Sequence, residues 1–170
     1  MEKMDISFVV VPSPYEEDNN LHADPSLLVQ TLSLGKAQAI AQDYPTDIVI
    51  GADTIVYADK ILGKPKSRED AKSILRHLSG TTHSVFTGVS MVQISSEKTF
   101  QKVVESKVTF HHITDADIER YISNEDVMGY AWAYAIQNRA MMFVEKIDGD
   151  LSAVIGLPMA VVKNMLQEFS

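Results

Sequence analysis

The sequence predicts an α/β fold in which an elongated, mixed central β-sheet is flanked by helices. Runs of β-branched and aromatic residues alternate with segments of helical periodicity along the chain. Of the 170 residues, 45% are hydrophobic and 22% are charged, as in an ordinary globular domain. No repeat, low-complexity tract or Gly/Ser-rich linker divides the chain, so we expect one domain over residues 1–170.

The first elements are predicted from propensity and capping. Residues 6–12, ISFVVVP, should form a buried strand that closes on a proline. A helix should follow Asp24, which is a suitable N-cap, with Pro25 at the first helical position. Its contact face would include Leu28 and Leu32.

The next segment, residues 47–65, predicts a hairpin made of DIVIGADTIVYAD and KILGKP. If the turn falls at Ala58 and Asp59, Asp53 opposes Lys64 directly and their side chains share one face of the sheet. Ala-Asp is a weak two-residue turn, and a slip of one residue would move one of the two side chains to the other face.

The second half continues the alternation of helices and strands. Ser67 and Asp70 form a capping-box pattern that should open a helix. A long hairpin follows, with SVFTGVSMVQI and FQKVVESKVTFHHI as its strands. The remaining predicted elements are a short helix capped by Thr114, a strand over AMMFVEKI and a closing helix from Pro158 to Phe169.

Charge and composition exclude several classes of protein. The net charge of −8 offers no broad cationic field for a nucleic-acid backbone, so we expect no nucleic-acid partner. The chain has no Cys, which excludes disulfides and thiolate chemistry. No apolar run approaches the length of a membrane span, so we expect no membrane partner and a cytoplasmic location.

Asp53 is the strongest candidate for chemistry on the residues alone. A cross-strand ion pair with Lys64 would contribute only about 0.2–1 kcal/mol and is the simplest interpretation. However, Asp53 ends an apolar run at the mouth of a core strand, where α/β folds often place ligand sites. A carboxylate there can bind a divalent ion or accept a proton from water, while Lys64 offsets negative charge.

The other polar candidates are weak one by one. Glu17 lies in a short acidic run that is typical of a solvated loop, and Lys36 is compatible with a surface lysine. Gln137 could contact a base edge or lie in a turn. His83 is more often a structural histidine than a base.

Taken together, several segments resemble the Maf family of nucleoside triphosphate pyrophosphatases. They include FVVVPSPYEE, LSLGKAQAI, IGADTIVYADKILGKP, AKSILRHLSGTTHSVFTGV, AYAIQ and IDGDLSAVIGLPM. The resemblance implies a Maf/Ham1-like fold, often dimeric. It also implies cleavage of a nucleoside triphosphate, with a divalent metal such as Mg²⁺ or Mn²⁺, into a nucleoside monophosphate and pyrophosphate.

The same resemblance implies roles for individual residues. Asp53 is similar to the catalytic, metal-associated carboxylate, and Glu17 to a second metal-associated carboxylate. Lys36 and Lys64 are similar to the cations on the phosphate side. Thr54 and Gln137 are similar to residues of the branch that prefers dTTP and UTP.

The sequence also departs from the family pattern. Family members usually begin with another strand and a Ser-x-Ser-Pro-Arg-Arg loop that this sequence does not include. We therefore expect an N-terminally truncated domain without the first strand, and impaired activity. The alternative hypothesis is a catalytically silent nucleotide-binding or septum-associated regulator with the same fold.

Overall fold

A five-stranded sheet forms the centre of the molecule. The computed structural model describes residues 6–129, 133–134, 136 and 139–169. The strands are β1 (Val49–Ala58), β2 (Lys60–Leu62), β3 (Thr82–Gln93), β4 (Lys98–Phe110) and β5 (Val144–Asp148), in the order β2-β1-β3-β4-β5. All four pairings between these strands are antiparallel. The predicted α/β class and the long β3–β4 hairpin are confirmed.

Within the described ranges, five α-helices flank the sheet, and three of them begin at the predicted N-caps. They are α1 (Pro25–Ala41), α2 (Arg68–Leu78), α3 (Asp115–Asn124), α4 (Leu151–Ile155) and α5 (Met159–Gln167). The side chains of Asp24, Ser67 and Thr114 each accept a hydrogen bond from a backbone N–H in the first turn of the helix that follows. No helix in the described ranges is long and apolar enough to cross a membrane.

Different helices cover the two faces of the sheet. Neighbouring side chains of a strand point to opposite faces, so adjacent residues of β1 pack against different helices. On one face, Ile55 packs with Leu28, Val29 and Leu32 of α1. On the other face, Val56 belongs to a larger cluster that includes residues of α2 and α3. Asp53 shares the α1 side with Ile55, whereas Thr54 shares the opposite side with Val56.

Two strand glycines let α1 approach the sheet closely. A Cβ on Gly88 would lie 2.3 Å from the Val29 carbonyl oxygen, and one on Gly51 would lie 2.3 Å from the Ser33 carbonyl oxygen. These atoms belong to the helix backbone at two buried residues of α1, so they cannot move aside as a flexible side chain could. The close approach brings α1, and Lys36 on it, against β1.

Gly88→Ala should lower the free energy of unfolding by about 3 kcal/mol, because the added methyl group must push α1 away from the sheet. Chemical denaturation followed by circular dichroism measures this loss. Gly63→Ala is the matched control, since a Cβ at that position would meet nothing within 4 Å. An unfolding midpoint for Gly88→Ala equal to that of the control would contradict this packing.

The prediction of a buried strand over residues 6–12 is wrong. The segment has no regular secondary structure, and Val9 and Val10 are 84% and 80% exposed. Strand propensity reflects packing on a sheet, and no strand in the described part of the chain pairs with this segment. A β-branched sequence without a partner strand therefore stays at the surface without regular secondary structure.

The predicted register of the first hairpin is also wrong, by one residue. Ala58 pairs with Lys60 and Tyr57 with Ile61, so Asp59 alone forms the turn, with a left-handed φ of 62°. Asp is one of the residues that tolerates this conformation. Because β2 ends at Leu62, Lys64 lies beyond the pairing and is not placed by strand register.

Near the C-terminus, one strand is shorter than the sequence predicts and one helix was not predicted. The strand expected over AMMFVEKI begins only at Val144, because residues Arg139–Phe143 form a 3₁₀ turn. The short helix α4 was not predicted from the sequence. It is capped by the side chain of Asp150 and ends at Gly156, whose φ of 117° suits glycine.

Candidate functional site

A cavity of about 290 Å³ opens where β2 leaves the edge of β1. Five residues singled out in the sequence line this pocket: Glu17, Lys36, Asp53, Thr54 and Lys64. They come from the loop before α1, from α1 itself, from β1 and from the loop after β2. The pocket thus brings together residues from four separate segments of the chain, although the Thr54 side chain leaves β1 on the face opposite to Asp53.

Lys36 is the centre of the charged cluster. Its Nζ lies 2.6 Å from Asp53 Oδ1 and 2.8 Å from Glu17 Oε1. The Asp53 residue is only 9% exposed, whereas the Glu17 side chain is 40% exposed. One ammonium group therefore joins a carboxylate in the protein interior to a carboxylate at the surface.

Burial controls the proton affinity of Asp53. It raises the pKa of Asp53 above the ordinary value, against the opposing effect of the hydrogen bond from Lys36; the negative charge of Glu17 also raises it, and Lys64 lowers it. The pKa of Lys36 is also raised: burial acts to lower it, but the two carboxylates outweigh burial. Asp53 is consequently a stronger base than an exposed aspartate and lies beside a firmly held positive charge.

The carboxylates of this pocket fit a small divalent cation. Glu17 and Asp53 already converge on one cationic atom, and their oxygens are the hard ligands that Mg²⁺ and Mn²⁺ prefer. Within the described residues, no three His, Cys, Asp or Glu side chains cluster as a metal site. The protein could thus supply one or two ligands, and a bound ligand would have to supply others, which is the usual way that proteins hold Mg²⁺.

Thr54 is held in a defined orientation from the opposite face of the sheet. Thr87, its fully buried cross-strand partner, donates its only hydroxyl proton to the Ala153 carbonyl oxygen at 2.8 Å. In the 2.8 Å hydrogen bond between the two threonine hydroxyls, Thr54 must therefore be the donor. Any further partner of the Thr54 hydroxyl has to be a hydrogen-bond donor.

His83 is not among the residues that line this pocket. This position agrees with the sequence analysis, which favoured a structural histidine over a catalytic base. The residue is 2% exposed, Nε2 is 2.8 Å from the Tyr134 hydroxyl, and the ring packs edge-on against Phe110. Within the described part of the chain, Nδ1 has no hydrogen-bond partner. Burial lowers the pKa of His83 to about 4, so the ring is neutral at physiological pH.

This burial predicts a pH-dependent stability. Because the pKa of His83 is lower in the folded state than in the unfolded state, the unfolded state binds more protons as the pH falls from about 6.5 towards 4. His83 should therefore remove about 3 kcal/mol of unfolding free energy between pH 7 and pH 4. Denaturation of His83→Asn across this range should show a correspondingly flatter profile than wild type. The exposed His111→Asn is the control, and a slope equal to wild type in His83→Asn would contradict the assignment.

Some residues near the site were not identified from the sequence, and one predicted residue cannot be described. Gln137, predicted to bind substrate, lies outside the described residues. Asn19 and Gly63 also line the pocket. Gly63 lies in the Gly-Lys-Pro segment that resembles the family, whereas Asn19 was not singled out. Tyr15, which lies in the loop before α1 two residues from Glu17, was also not identified.

Comparisons with known proteins show which family the sequence of this chain matches. A family model described as "Maf-like protein" matches residues 1–169. A Bacillus mycoides protein named dTTP/UTP pyrophosphatase is 41% identical over 170 residues, covering 99% of this chain and 88% of the relative. Proteins of the same name from Dictyoglomus turgidum and Bacillus anthracis are 40% identical (95% and 84% covered) and 37% identical (100% and 88% covered).

Proposed function

The chain belongs to the Maf family, and from that premise we propose that it hydrolyses dTTP and UTP to the nucleoside monophosphate and pyrophosphate. The single observation that carries the proposal is the position of Lys36 between Asp53 and Glu17, in a pocket that also contains Lys64. Carboxylates can hold a divalent metal together with phosphate oxygens, and ammonium groups can offset the remaining phosphate charge. The names of the relatives supply the nucleotide class.

In this proposal, Asp53 is the general base. A water molecule attacks the α-phosphorus, a new P–O bond forms, and the bond between the α-phosphorus and the oxygen that bridges to the β-phosphate breaks. The proton of the water passes to the Asp53 carboxylate, whose pKa burial has raised, and pyrophosphate leaves. Raised basicity in a buried site suits this proton transfer near neutral pH.

The cations of the pocket would stabilise the charge on the phosphates. Lys36 and Lys64 each supply an ammonium group on the phosphate side, and Lys36 also keeps the two carboxylates in place. Glu17 and Asp53 would hold the divalent metal, Mg²⁺ or Mn²⁺. When bound, that ion supplies Lewis-acid neutralisation of the phosphate oxygens.

Thr54 supports a preference among pyrimidines. Its hydroxyl can only accept a further hydrogen bond, and N3–H of uracil and thymine is a donor, whereas N3 of cytosine is an acceptor. We assign Gln137 to the same base-binding role from the family resemblance. From the same family resemblance we propose that the protein forms a homodimer. We also propose that it is located in the cytoplasm.

The proposal is tested with a panel of dTTP, UTP, CTP and GTP, each with Mg²⁺ or Mn²⁺, followed by measurement of released pyrophosphate. We expect release from dTTP and UTP well above that from CTP. Calorimetric titration of dTTP onto the same preparation separates this function from the alternative of a silent regulator. Binding of dTTP without release of pyrophosphate from any nucleotide would contradict hydrolysis and support the regulator.

A further inference from the structure

The Tyr15 ring packs against Gly35, a residue of α1 that has no side chain. A Cβ on Gly35 would lie 2.3 Å from Cζ and 2.4 Å from Cε2 of the Tyr15 ring. Contacts this short do not occur in proteins, so only glycine at position 35 allows the ring to lie on α1 at this point. The ring and the glycine form a matched pair.

The backbone beside Tyr15 is fastened to the same turn of the helix. The Ser13 hydroxyl donates to the carbonyl oxygen of Lys36 at 3.3 Å, and the Tyr15 N–H donates to the Ser13 hydroxyl at 3.3 Å. The ring of Tyr15 also packs against the cluster of Leu28, Val29, Leu32 and Ile55. Ser13 and Tyr15 together attach the loop before α1 to the helix.

The next residues of this loop lack comparable support in the structure. Residues 16–20 are exposed, and residues 16–18 have no regular secondary structure. Nevertheless, Glu17 Oε1 lies 2.8 Å from Nζ of Lys36. Lys36 is the residue next to Gly35 on α1. The position of the Glu17 carboxylate thus depends on the attachment made two residues earlier.

From these contacts we infer that Tyr15, seated on Gly35, is a positioning residue that holds Glu17 over Lys36 and Asp53. The inference rests on the proposed function, in which Glu17 is a metal ligand. Groups that orient metal ligands typically affect metal affinity or activity by about 10–100-fold. Tyr15 would act only through Glu17 and would not itself contact metal or substrate.

The test measures Mn²⁺ affinity by water-proton relaxation, on the full chain with the non-hydrolysable α,β-methylene analogue of dTTP. Tyr15→Ala should weaken Mn²⁺ binding about 10-fold. It should raise by a similar factor the Mn²⁺ concentration for half-maximal pyrophosphate release. Tyr15→Phe keeps the ring and should bind Mn²⁺ within about twofold of wild type.

Glu17→Gln provides the decisive comparison. If Tyr15 acts through Glu17, the double variant Tyr15→Ala/Glu17→Gln should bind Mn²⁺ no more weakly than Glu17→Gln alone. Phe86→Ala removes another aromatic ring from the same cluster and is the control for packing. It should reduce stability but leave Mn²⁺ affinity unchanged.

Gly35→Ala is the second variant, for use if Tyr15→Ala does not fold. Its methyl group must displace the ring, so it should weaken Mn²⁺ binding to a similar extent. Unchanged Mn²⁺ affinity in a folded Tyr15→Ala or Gly35→Ala protein, or additive effects of the Tyr15 and Glu17 changes, would overturn the inference. Failure of the proposed function looks different, because wild type itself would then bind no Mn²⁺ and release no pyrophosphate, which also removes this role for Tyr15.

Discussion

Asp53→Asn should lower kcat for pyrophosphate release from dTTP by about 10³-fold, within the range expected for loss of a general base. The amide has the shape of the carboxylate but cannot accept the proton, and it is a poorer metal ligand. Steady-state kinetics with saturating Mn²⁺ measure the effect. Lys36 retains Glu17 as an ion-pair partner in this variant, so the fold should persist.

Asp59→Asn is the matched control for this change. Asp59 is at the tip of the same hairpin and has the left-handed conformation that asparagine also tolerates. Its activity should stay within about twofold of wild type, because its side chain contacts His77 rather than the pocket. If Asp53→Asn kept more than about a tenth of the wild-type kcat, another group would have to be the base.

Lys36→Met should lower kcat/KM for dTTP by about 10²-fold or more, because the substitution keeps the aliphatic stem but removes the ammonium group. The phosphates lose a cation, and Glu17 and Asp53 then face each other without the charge that joins them. Repulsion from Glu17 should raise the pKa of Asp53 further. The acid limb of the pH profile of kcat/KM should therefore move to higher pH.

Lys60→Met is the control for Lys36→Met, since Lys60 is exposed on β2. It should change kcat/KM by no more than about twofold. A pH profile for Lys36→Met that matches wild type would show that Lys36 does not govern the ionisation of Asp53. Wild-type kcat/KM in the same variant would remove Lys36 from the site.

Local chemistry explains which parts of the fold could be predicted from the sequence. Asp24 and Ser67 determine where α1 and α2 begin, because their side chains accept hydrogen bonds from backbone N–H groups nearby in the chain. Residues 6–12 were mispredicted because a strand needs a partner, which propensity does not report. The hairpin register depends on one left-handed residue, Asp59, and no strong turn signal marks it.

In the candidate site, too, some residues could be identified from the local sequence and others could not. Asp53 stood out because a charge followed an apolar run, and Lys64 because it followed in the hairpin. The expectation that Asp53 lies at the mouth of its strand is wrong, because β1 continues through Asp53 to Ala58 and Asp53 pairs with Gly88 in the middle of the sheet. Lys36 and Glu17 were identified by family resemblance, since no periodicity reveals that α1 and the preceding loop meet at β1. The contact between Tyr15 and Gly35 has no sequence signal at all, because it depends on how closely the loop approaches the helix.

We propose that one pocket, containing Glu17, Lys36, Asp53 and Lys64, cleaves a metal-bound triphosphate between its α and β phosphates. The most direct measurement is chromatographic identification of the products formed from dTTP by wild type and by Asp53→Asn. We predict equal amounts of dTMP and pyrophosphate from wild type with Mn²⁺, none with a chelator, and formation about 10³-fold slower with Asp53→Asn. Formation of dTDP and phosphate, or products from Asp53→Asn equal to those from wild type, would contradict the claim.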